Sequence, residues 1–190
     1  MKQIVLDIET KRGFDEVGGR ENFKDLGVSL VGIYRYDTEE YVSYEEKDLV
    51  QLGLLLSSAE RIIGFNIRRF DFPVLQPYFK DLKLEKLPIL DLLEEVEHRV
   101  GHRVSLESVS QATLGIGKSG KGTDAIVYYR NGEIEKLKKY CLDDVRLTKE
   151  IFEFGKRWSK IYFLSRDRMG KIEVPVDWRD PDPPSNLSLF

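Results

Sequence analysis

The apolar and polar residues of the chain change their period several times, and each change predicts a secondary-structure element. An apolar run that ends in alternating carboxylates predicts a strand over residues 4–10, and alternation predicts a hairpin of two strands over residues 30–36 and 40–44. Further along, two short apolar runs at residues 61–65 and 87–90 are typical of strands, and apolar residues three or four apart predict helices between and after them. The helices are expected over residues 48–58, 71–79, 91–100, 105–114 and 133–156.

This order of elements predicts an α/β fold. Three antiparallel strands come first, and the later strands alternate with helices, so we expect a mixed β-sheet flanked by helices. Loops are expected over residues 11–29 and 115–123, which are rich in glycine and charge, and a closing hairpin over residues 161–164 and 171–178. The folded domain is expected to span residues 1–179, with a Pro-rich flexible tail over residues 180–190.

Length and composition limit the class of protein. A chain of 190 residues, 41% of them apolar, is about the size of one ordinary globular domain. No run approaches the roughly 18 apolar residues of a membrane span, and the N-terminus shows no signal peptide. We therefore expect a cytoplasmic protein with no membrane partner.

The cysteine and histidine content limits how a metal can be bound. Cys141 is the single cysteine, so no disulfide can form within the chain, and only His98 and His102 could add to it. A conventional structural zinc site is therefore not expected, and any metal should be held by oxygen.

The charge balance argues against a broad electrostatic grip on nucleic acid. The chain carries 30 basic and 33 acidic residues, a formal net charge of −3. A partner rich in phosphates would require a local source of positive charge.

Two acids share one face at the end of the first predicted strand. Asp7 and Glu9 are two residues apart and point the same way, while Ile8 points to the opposite layer. At about 4 Å two like charges repel by roughly 4 kcal/mol, so such a pair needs a cation or a shifted pKa. The alternative is that the strand ends in solvent and both acids are hydrated.

Two further segments carry acids that could join this pair. Asp71 opens a predicted helix ahead of Pro73, a position equally typical of a helix N-cap. Tyr140 and Asp144 lie one turn apart at the edge of the apolar stripe of the long helix. The alternative to a role in the site is that Tyr140 is an aromatic at the helix boundary and Asp144 a solvated acid. The joint pattern predicts that the acids converge on one cleft. Clustered oxygens suit Mg²⁺ or Mn²⁺, and two such ions form a clamp for phosphodiester hydrolysis.

Three motifs carry a resemblance to a known family. Residues 7–10, 66–71 and 140–144 resemble the three motifs of the DEDD 3′–5′ exonucleases, in their tyrosine-containing branch, within the ribonuclease H-like superfamily. Lys139 stands where the histidine-containing branch has its histidine. The resemblance covers about residues 1–157 and is nearest to stand-alone bacterial relatives of the proofreading domain of family B DNA polymerases. It implies a ribonuclease H-like sheet.

The resemblance also implies roles for five residues. Asp7, Glu9 and Asp144 would bind one ion, Asp7 would also contact a second, and Asp71 would reach that second ion through water. Tyr140 would orient the attacking water. The expected cofactors are therefore two ions of Mg²⁺ or Mn²⁺, and the expected product is a 5′-mononucleotide released from a 3′ end.

Substrate contacts are expected from residues in and beside these motifs. The loop lysines lie among glycines whose backbone N–H groups can face a phosphate, and an aromatic ring near the site can stack on a terminal base. The alternatives to substrate contacts are that the basic residues are ordinary solvated charges and that the aromatic residues belong to the core. The predicted substrate-binding residues are Thr10, Asn66, Arg68, Phe70, Lys118 and Lys121.

The resulting hypothesis is a metal-dependent 3′–5′ exonuclease acting on single-stranded or frayed ends, of DNA rather than RNA. A ribonuclease H-like endonuclease, an RNA exonuclease and a catalytically weak binding module are the alternatives. Two bound divalent ions would move the formal charge from −3 to about +1. Residues 186–190 resemble the C-terminal peptide with which bacterial proteins bind a sliding clamp, with Asn186 in place of the usual glutamine.

Overall fold

Seven strands and seven α-helices, with three short 3₁₀ turns, make up the fold in this computed structural model, which describes residues 2–118, 120, 122–167 and 169–180. The strands are β1 (Gln3–Thr10), β2 (Val28–Arg35), β3 (Glu40–Tyr44), β4 (Arg61–Gly64), β5 (Ile89–Asp91), β6 (Lys160–Leu164) and β7 (Lys171–Pro175). The helices are α1 (Phe23–Leu26), α2 (Leu49–Ser57), α3 (Asp71–Leu75), α4 (Leu92–Val100), α5 (Leu106–Leu114), α6 (Gly122–Arg130) and α7 (Ile134–Trp158).

The main sheet has five strands in the order β3-β2-β1-β4-β5. The first three strands are antiparallel to one another, whereas β4 and β5 run parallel to β1. The mixed sheet predicted from the sequence is therefore confirmed. The predicted closing hairpin is also present, as the antiparallel pair β6-β7, which forms a separate two-stranded sheet.

Helices cover both faces of the sheet, and β1 contributes to both cores. Ile4, Leu6 and Ile8 pack into one core, whereas Val5 packs into the other beside Val145 of α7. This alternation follows from the two-residue period of a strand. Because β1 is covered on both faces, its polar residues at positions 7 and 9 are enclosed by the fold.

The end of the described chain is part of the second core. The Trp178 ring is buried, stacks on Phe152 and fills a notch on α7 at Gly155, where a Cβ would overlap the ring. Asp180 then accepts a hydrogen bond from the Gln3 side chain at 2.7 Å. Residues 181–190, which include the predicted clamp-binding peptide at 186–190, lie outside the described residues.

Two predictions for secondary structure were wrong in part. The helix predicted over residues 71–79 ends at Leu75 and continues as a 3₁₀ turn, Gln76–Tyr78, because Pro77 has no N–H for the helical ladder. Helix α6 was not predicted, and its start overlaps the loop expected over residues 115–123. Only Ala125 of α6 is buried, so the segment carries too weak an apolar stripe to indicate a helix.

Among the described residues, no helix is both long enough and apolar enough to cross a membrane.

Candidate active site

The acid pair of β1 lies at the middle of the sheet. Asp7 and Glu9 share the face of Val5, toward α7, and Glu9 is buried while Asp7 is half-buried. The register of β1 against β2 shifts between Glu9 and Thr10, an irregularity that ends the regular ladder just after the second acid. The two acids are therefore enclosed at the strand end, and the alternative of two hydrated side chains is wrong.

Helix α7 places Tyr140 and Asp144 opposite this pair. Both residues are buried, at 5% and 4% exposure, although a boundary position on the helix predicted partial solvation. Asp143, the neighbouring acid, is instead paired with Arg146 at 2.7 Å on the outer side of the helix. The helical period therefore separates two adjacent aspartates into one that faces the sheet and one that pairs at the surface.

One cleft of about 390 Å³ collects these groups. Asp7, Glu9, Tyr140 and Asp144 line its floor, and residues 12–15 form one wall. The other wall comes from α6 through Gly122, Thr123 and Ile126. The predicted convergence of β1 and α7 on one cleft is thus present in the structure.

Asp71 lies next to β1, although it is not among the residues that line the cleft. Its Oδ1 accepts a hydrogen bond from the Ile8 amide at 3.2 Å, and the N-cap position of α3 is occupied by Phe70, without a side-chain cap. The alternative of an ordinary N-cap is therefore wrong. Burial raises the pKa of Asp71 to about 8, against the hydrogen bond from Ile8, which lowers it.

Lys118 enters the cleft as its counter-charge. Its Nζ lies 2.5 Å from Asp144 Oδ2 and 5.5 Å from the centroid of the Tyr140 ring. Burial opposes the charged amine, yet Asp144 and then Asp7 raise the pKa of Lys118 above its ordinary value. One ammonium group therefore compensates part of the charge of the acid cluster.

The remaining electrostatics show that this compensation is incomplete. Burial, followed by the charge of Asp144, raises the pKa of both Asp7 and Glu9 well above the ordinary value. Burial also raises the pKa of the Tyr140 phenol, and Asp144 adds to that rise while Lys118 opposes it. Within the described part of the chain, Asp144 Oδ1 and the Tyr140 hydroxyl are buried with no hydrogen-bond partner. The cleft therefore has polar atoms directed at a ligand of positive charge or at water.

The predicted substrate-binding residues fall into three groups. Thr10, Phe70 and Lys118 line the cleft. Asn66 and Arg68 do not, because the Asn66 side chain accepts a hydrogen bond from Arg103 at 2.6 Å and Arg68 pairs with Glu94 at 3.1 Å. Lys121 lies outside the described residues.

A buried aspartate explains the different position of Asn66 and Arg68. Asp91 accepts backbone hydrogen bonds from Asn66 at 2.9 Å and from Arg68 at 3.0 Å while it caps α4 through Leu93. Asn66 has a positive φ of 75°, which turns the chain at this point. The turn after β4 is thus fixed against the start of α4, and Asn66 and Arg68 do not line the cleft.

Sequence reasoning missed two contributors to the site. Cys141 was assigned to the apolar stripe of α7, yet its Sγ lies 4.0 Å from Asp7 Oδ2. Phe14, in the segment predicted as a loop, lines the cleft and packs edge-to-face on Phe70 at 6.0 Å between ring centroids. The position of Cys141 directly after Tyr140 was a signal for the first. Residues 14–19 also resemble the family, although less specifically than the three motifs, and that was a signal for the second.

The comparisons with known proteins agree with this architecture. The family profile of the RNase_H superfamily matches residues 4–154. Since this is most of the chain, the protein belongs to the RNase_H superfamily. No curated protein matches the sequence.

A solved structure shows the same fold. The family B DNA polymerase from the hyperthermophilic archaeon Pyrobaculum calidifontis superposes with a TM-score of 0.60 at 19% identity. The match covers 82% of this chain and 24% of the polymerase chain, so this protein corresponds to about a quarter of the polymerase. At this identity the likeness concerns the fold alone.

Proposed function

We propose that this protein is a divalent-metal-dependent 3′–5′ exonuclease of the tyrosine-containing DEDD branch. One observation carries the proposal: β1 and α7 bring Asp7, Glu9, Tyr140 and Asp144 to one cleft, where the Asp144 carboxylate keeps a buried oxygen without a partner among the described residues. Membership of the RNase_H superfamily supports a nuclease, and the fold shared with a family B DNA polymerase supports the proofreading type.

The donor set fits a divalent ion. Asp7, Glu9 and Asp144 supply carboxylate oxygens, which Mg²⁺ and Mn²⁺ prefer. Burial, and then the neighbouring negative charge that Lys118 only partly compensates, raises the pKa of Asp7 and Glu9, and a cation in the cleft would favour their charged forms. When bound, two such ions would supply Lewis-acid stabilisation of the phosphate and an acidified water.

The protein groups have separate roles in this proposal. Asp7, Glu9 and Asp144 would hold the ions, while Asp71 fixes the β1 backbone by accepting the hydrogen bond of the Ile8 amide and would act on an ion only through water. The Tyr140 hydroxyl, a phenol that is protonated at neutral pH and whose pKa burial raises further, would donate a hydrogen bond that orients the attacking water. Each role requires burial, because water would otherwise weaken every one of these interactions.

The cleft also suits a strand end. Phe14 and Phe70 offer aromatic surface beside the carboxylates, and base–aromatic stacking is tolerant of sequence. Lys118 can pass from Asp144 to the substrate phosphate when metal binds. The formal net charge of −3 disfavours a long electrostatic footprint, so we propose single-stranded or frayed DNA ends as the substrate.

Labelled oligonucleotides test the proposal. With Mn²⁺ and 5′-labelled single-stranded DNA, we expect a ladder that shortens by one nucleotide at a time, together with immediate mononucleotide release from a 3′-labelled strand. Asp144→Asn should lower the rate by at least about a hundredfold. Asp143→Asn is the matched control, because Asp143 is the adjacent acid but pairs with Arg146 at the surface.

Other products would assign a different function. Internal cuts would identify an endonuclease, and preference for RNA an RNA exonuclease. No turnover with either metal, with retained binding of single strands, would identify a binding module. Equal rates for Asp143→Asn and Asp144→Asn would contradict the proposed site.

We also propose a sliding clamp as a partner of residues 186–190, on the sequence of that peptide alone. Titration of a bacterial clamp with the full chain and with a chain ending at residue 185 tests it. Equal affinities would exclude this partner.

A further inference from the structure

Arg12 lies on a wall of the active-site cleft, and the proposed function gives it no role. The basic residues among the described ones that line the cleft are Arg12 and Lys118. Lys118 is paired with Asp144 at 2.5 Å. Arg12 is exposed and forms no ion pair with any residue that the structure describes. The cleft therefore has one positive side chain that its own carboxylates do not hold.

The acids close to Arg12 in the sequence do not hold its guanidinium either. Glu16 is paired with Arg130. The pKa of Glu16 is lowered first by the Gly13 amide and then by Arg130, and Arg12 contributes least. Asp15 lies on the same wall of the cleft, is exposed and, within the described part of the chain, forms no ion pair. The guanidinium of Arg12 is thus available to an anionic ligand that enters the cleft.

The backbone of Arg12 is fixed close to the carboxylates. Its amide donates a hydrogen bond to the carbonyl oxygen of Leu26 at 3.2 Å, and its carbonyl oxygen accepts one from the Thr10 hydroxyl at 2.9 Å. Arg12 follows Glu9 by three residues, so their Cα atoms are at most about 11 Å apart. A stacked nucleic-acid strand advances about 3.4 Å per nucleotide, so this distance corresponds to at most about three nucleotides.

We propose that Arg12 forms a subsite for a phosphate of the substrate strand, within the first three nucleotides from the 3′ end and separate from the phosphate that is hydrolysed. This inference rests on the proposed function, because it requires a strand end in the cleft. A guanidinium group can hold a phosphate through two parallel N–H···O bonds. Because the chain has a formal net charge of −3, a single local cation should supply a measurable part of the affinity.

Binding of a short 5′-labelled single strand of DNA to the full chain tests the subsite. Ca²⁺ replaces Mn²⁺, because it also takes oxygen ligands and the measurement then does not depend on Mn²⁺-driven turnover. Arg12→Met should weaken binding about tenfold. It should also lower the slope of log affinity against log salt by about 0.7, the value for one phosphate of a single strand. Arg12→Lys should keep most of that slope, because it keeps the charge.

Arg20→Met is the matched control. Arg20 is another exposed arginine in the segment between β1 and α1, but it does not line the cleft. The two variants remove the same charge, so a loss of affinity that comes only from the net charge would be equal in both. We expect the affinity and the salt slope of Arg20→Met to match those of the wild type.

Neutral methylphosphonate linkages locate the contact along the strand. They are placed singly at each of the three linkages nearest the 3′ end. At one position the neutral linkage should weaken binding to the wild type about tenfold, and binding to Arg12→Met by less than about twofold, since that variant has already lost the contact.

Two results would overturn the subsite. One is an affinity and salt slope in Arg12→Met equal to those of Arg20→Met, and the other is a set of neutral linkages that weaken both proteins equally at every position. Because these readouts measure binding, they are separate from the test of the proposed function. Strand binding through Arg12 without Mn²⁺-dependent digestion would support the subsite and contradict the exonuclease, whereas digestion with no effect of Arg12 would do the reverse.

Discussion

Gly32 of β2 pairs with Asp7 of β1, and the sulfur of Cys141 packs directly on that glycine. A Cβ at position 32 would lie 2.8 Å from Cys141 Sγ and 3.0 Å from a methyl group of Val145. Because residue 32 has no side chain, α7 can approach the β1-β2 ladder closely enough to bring Asp144 to the acids of β1.

Gly32→Ala should therefore separate α7 from β1. We expect a loss of about 1–3 kcal/mol in the free energy of unfolding from overpacking, and a tenfold to hundredfold loss of Mn²⁺-dependent digestion from misplaced carboxylates. Urea unfolding and a nuclease assay measure the two effects. Gly53→Ala is the matched control, because a Cβ there would lie equally close, at 2.8 Å, to the Phe79 ring but remote from the cleft. Equal losses of activity in both variants would contradict this role of Gly32.

Lys118→Met should destabilise the metal-free protein more than the metal-bound one. Without the ammonium group, Asp144 stays buried with no opposite charge, at a penalty on the order of 3 kcal/mol. Added Mn²⁺ should restore most of that loss, because a cation can replace the ammonium group. Thermal unfolding with chelator and with Mn²⁺ measures the difference. Lys138→Met is the control, because it removes a pair with Glu135, whose side chain is 88% exposed; its free energy of unfolding should fall by less than about 1 kcal/mol and Mn²⁺ should not restore it.

The metal-free protein should lose stability as the pH rises from 6 to 8. Burial raises the pKa of Asp71 to about 8, above its value in the unfolded chain. The contribution of Asp71 to the free energy of unfolding is therefore complete below about pH 4 and is lost as the pH rises toward 8. The pKa values of Asp7 and Glu9 shift in the same direction. One such group contributes at most about 1.4 kcal/mol per pH unit.

Chelator-treated protein, unfolded in urea at several pH values, checks this dependence. Exposed acids with lowered pKa values, such as Glu16 and Asp37, change protonation only below about pH 4.5. They therefore do not change the free energy of unfolding between pH 6 and 8. Asp71→Asn, which keeps an acceptor for the Ile8 amide, should flatten the profile. A wild-type profile that rises from pH 6 to 8 would refute this account.

Trp178→Ala should be among the more destabilising single substitutions. The ring is buried against Phe152 and Gly155, so its loss should cost about 3–5 kcal/mol in the free energy of unfolding. Trp158→Ala is the control, since that residue is 54% exposed and its loss should lower the free energy of unfolding by less than about 1 kcal/mol. Equal denaturation midpoints for the two variants would show that residues 176–180 are not part of the core.

Local patterns identified the elements that hold the proposed catalytic groups. Asp7 and Glu9 were placed on one face by the period of a strand, and Tyr140 and Asp144 on one face by the period of a helix. Those periods depend only on backbone geometry, which is why they can be predicted from sequence. The short helix α6, which forms one wall of the cleft, was missed because only one of its residues is buried, so its sequence shows almost no helical period of apolar residues.

Sequence neighbours of a motif did not all belong to the site. Asn66 and Arg68 adjoin Asp71 in the sequence, but their backbone amides bond Asp91, 25 and 23 residues away. That contact fixes the turn after β4 against α4, and neither residue lines the cleft. It depends on how β4, β5 and α4 pack, and no local pattern carries that information.

Hydrophobic period is a local property, so the sequence predicted the mixed sheet, the strand that carries the acid pair and the helix face that carries Tyr140 and Asp144. Three contacts could be found only in the folded chain: Asp71 bonds the Ile8 amide, Lys118 pairs with Asp144, and Cys141 lies beside Asp7. Each of those contacts joins residues far apart in the chain, and each exists only where packing, such as that of α7 on Gly32, fixes the distance between elements.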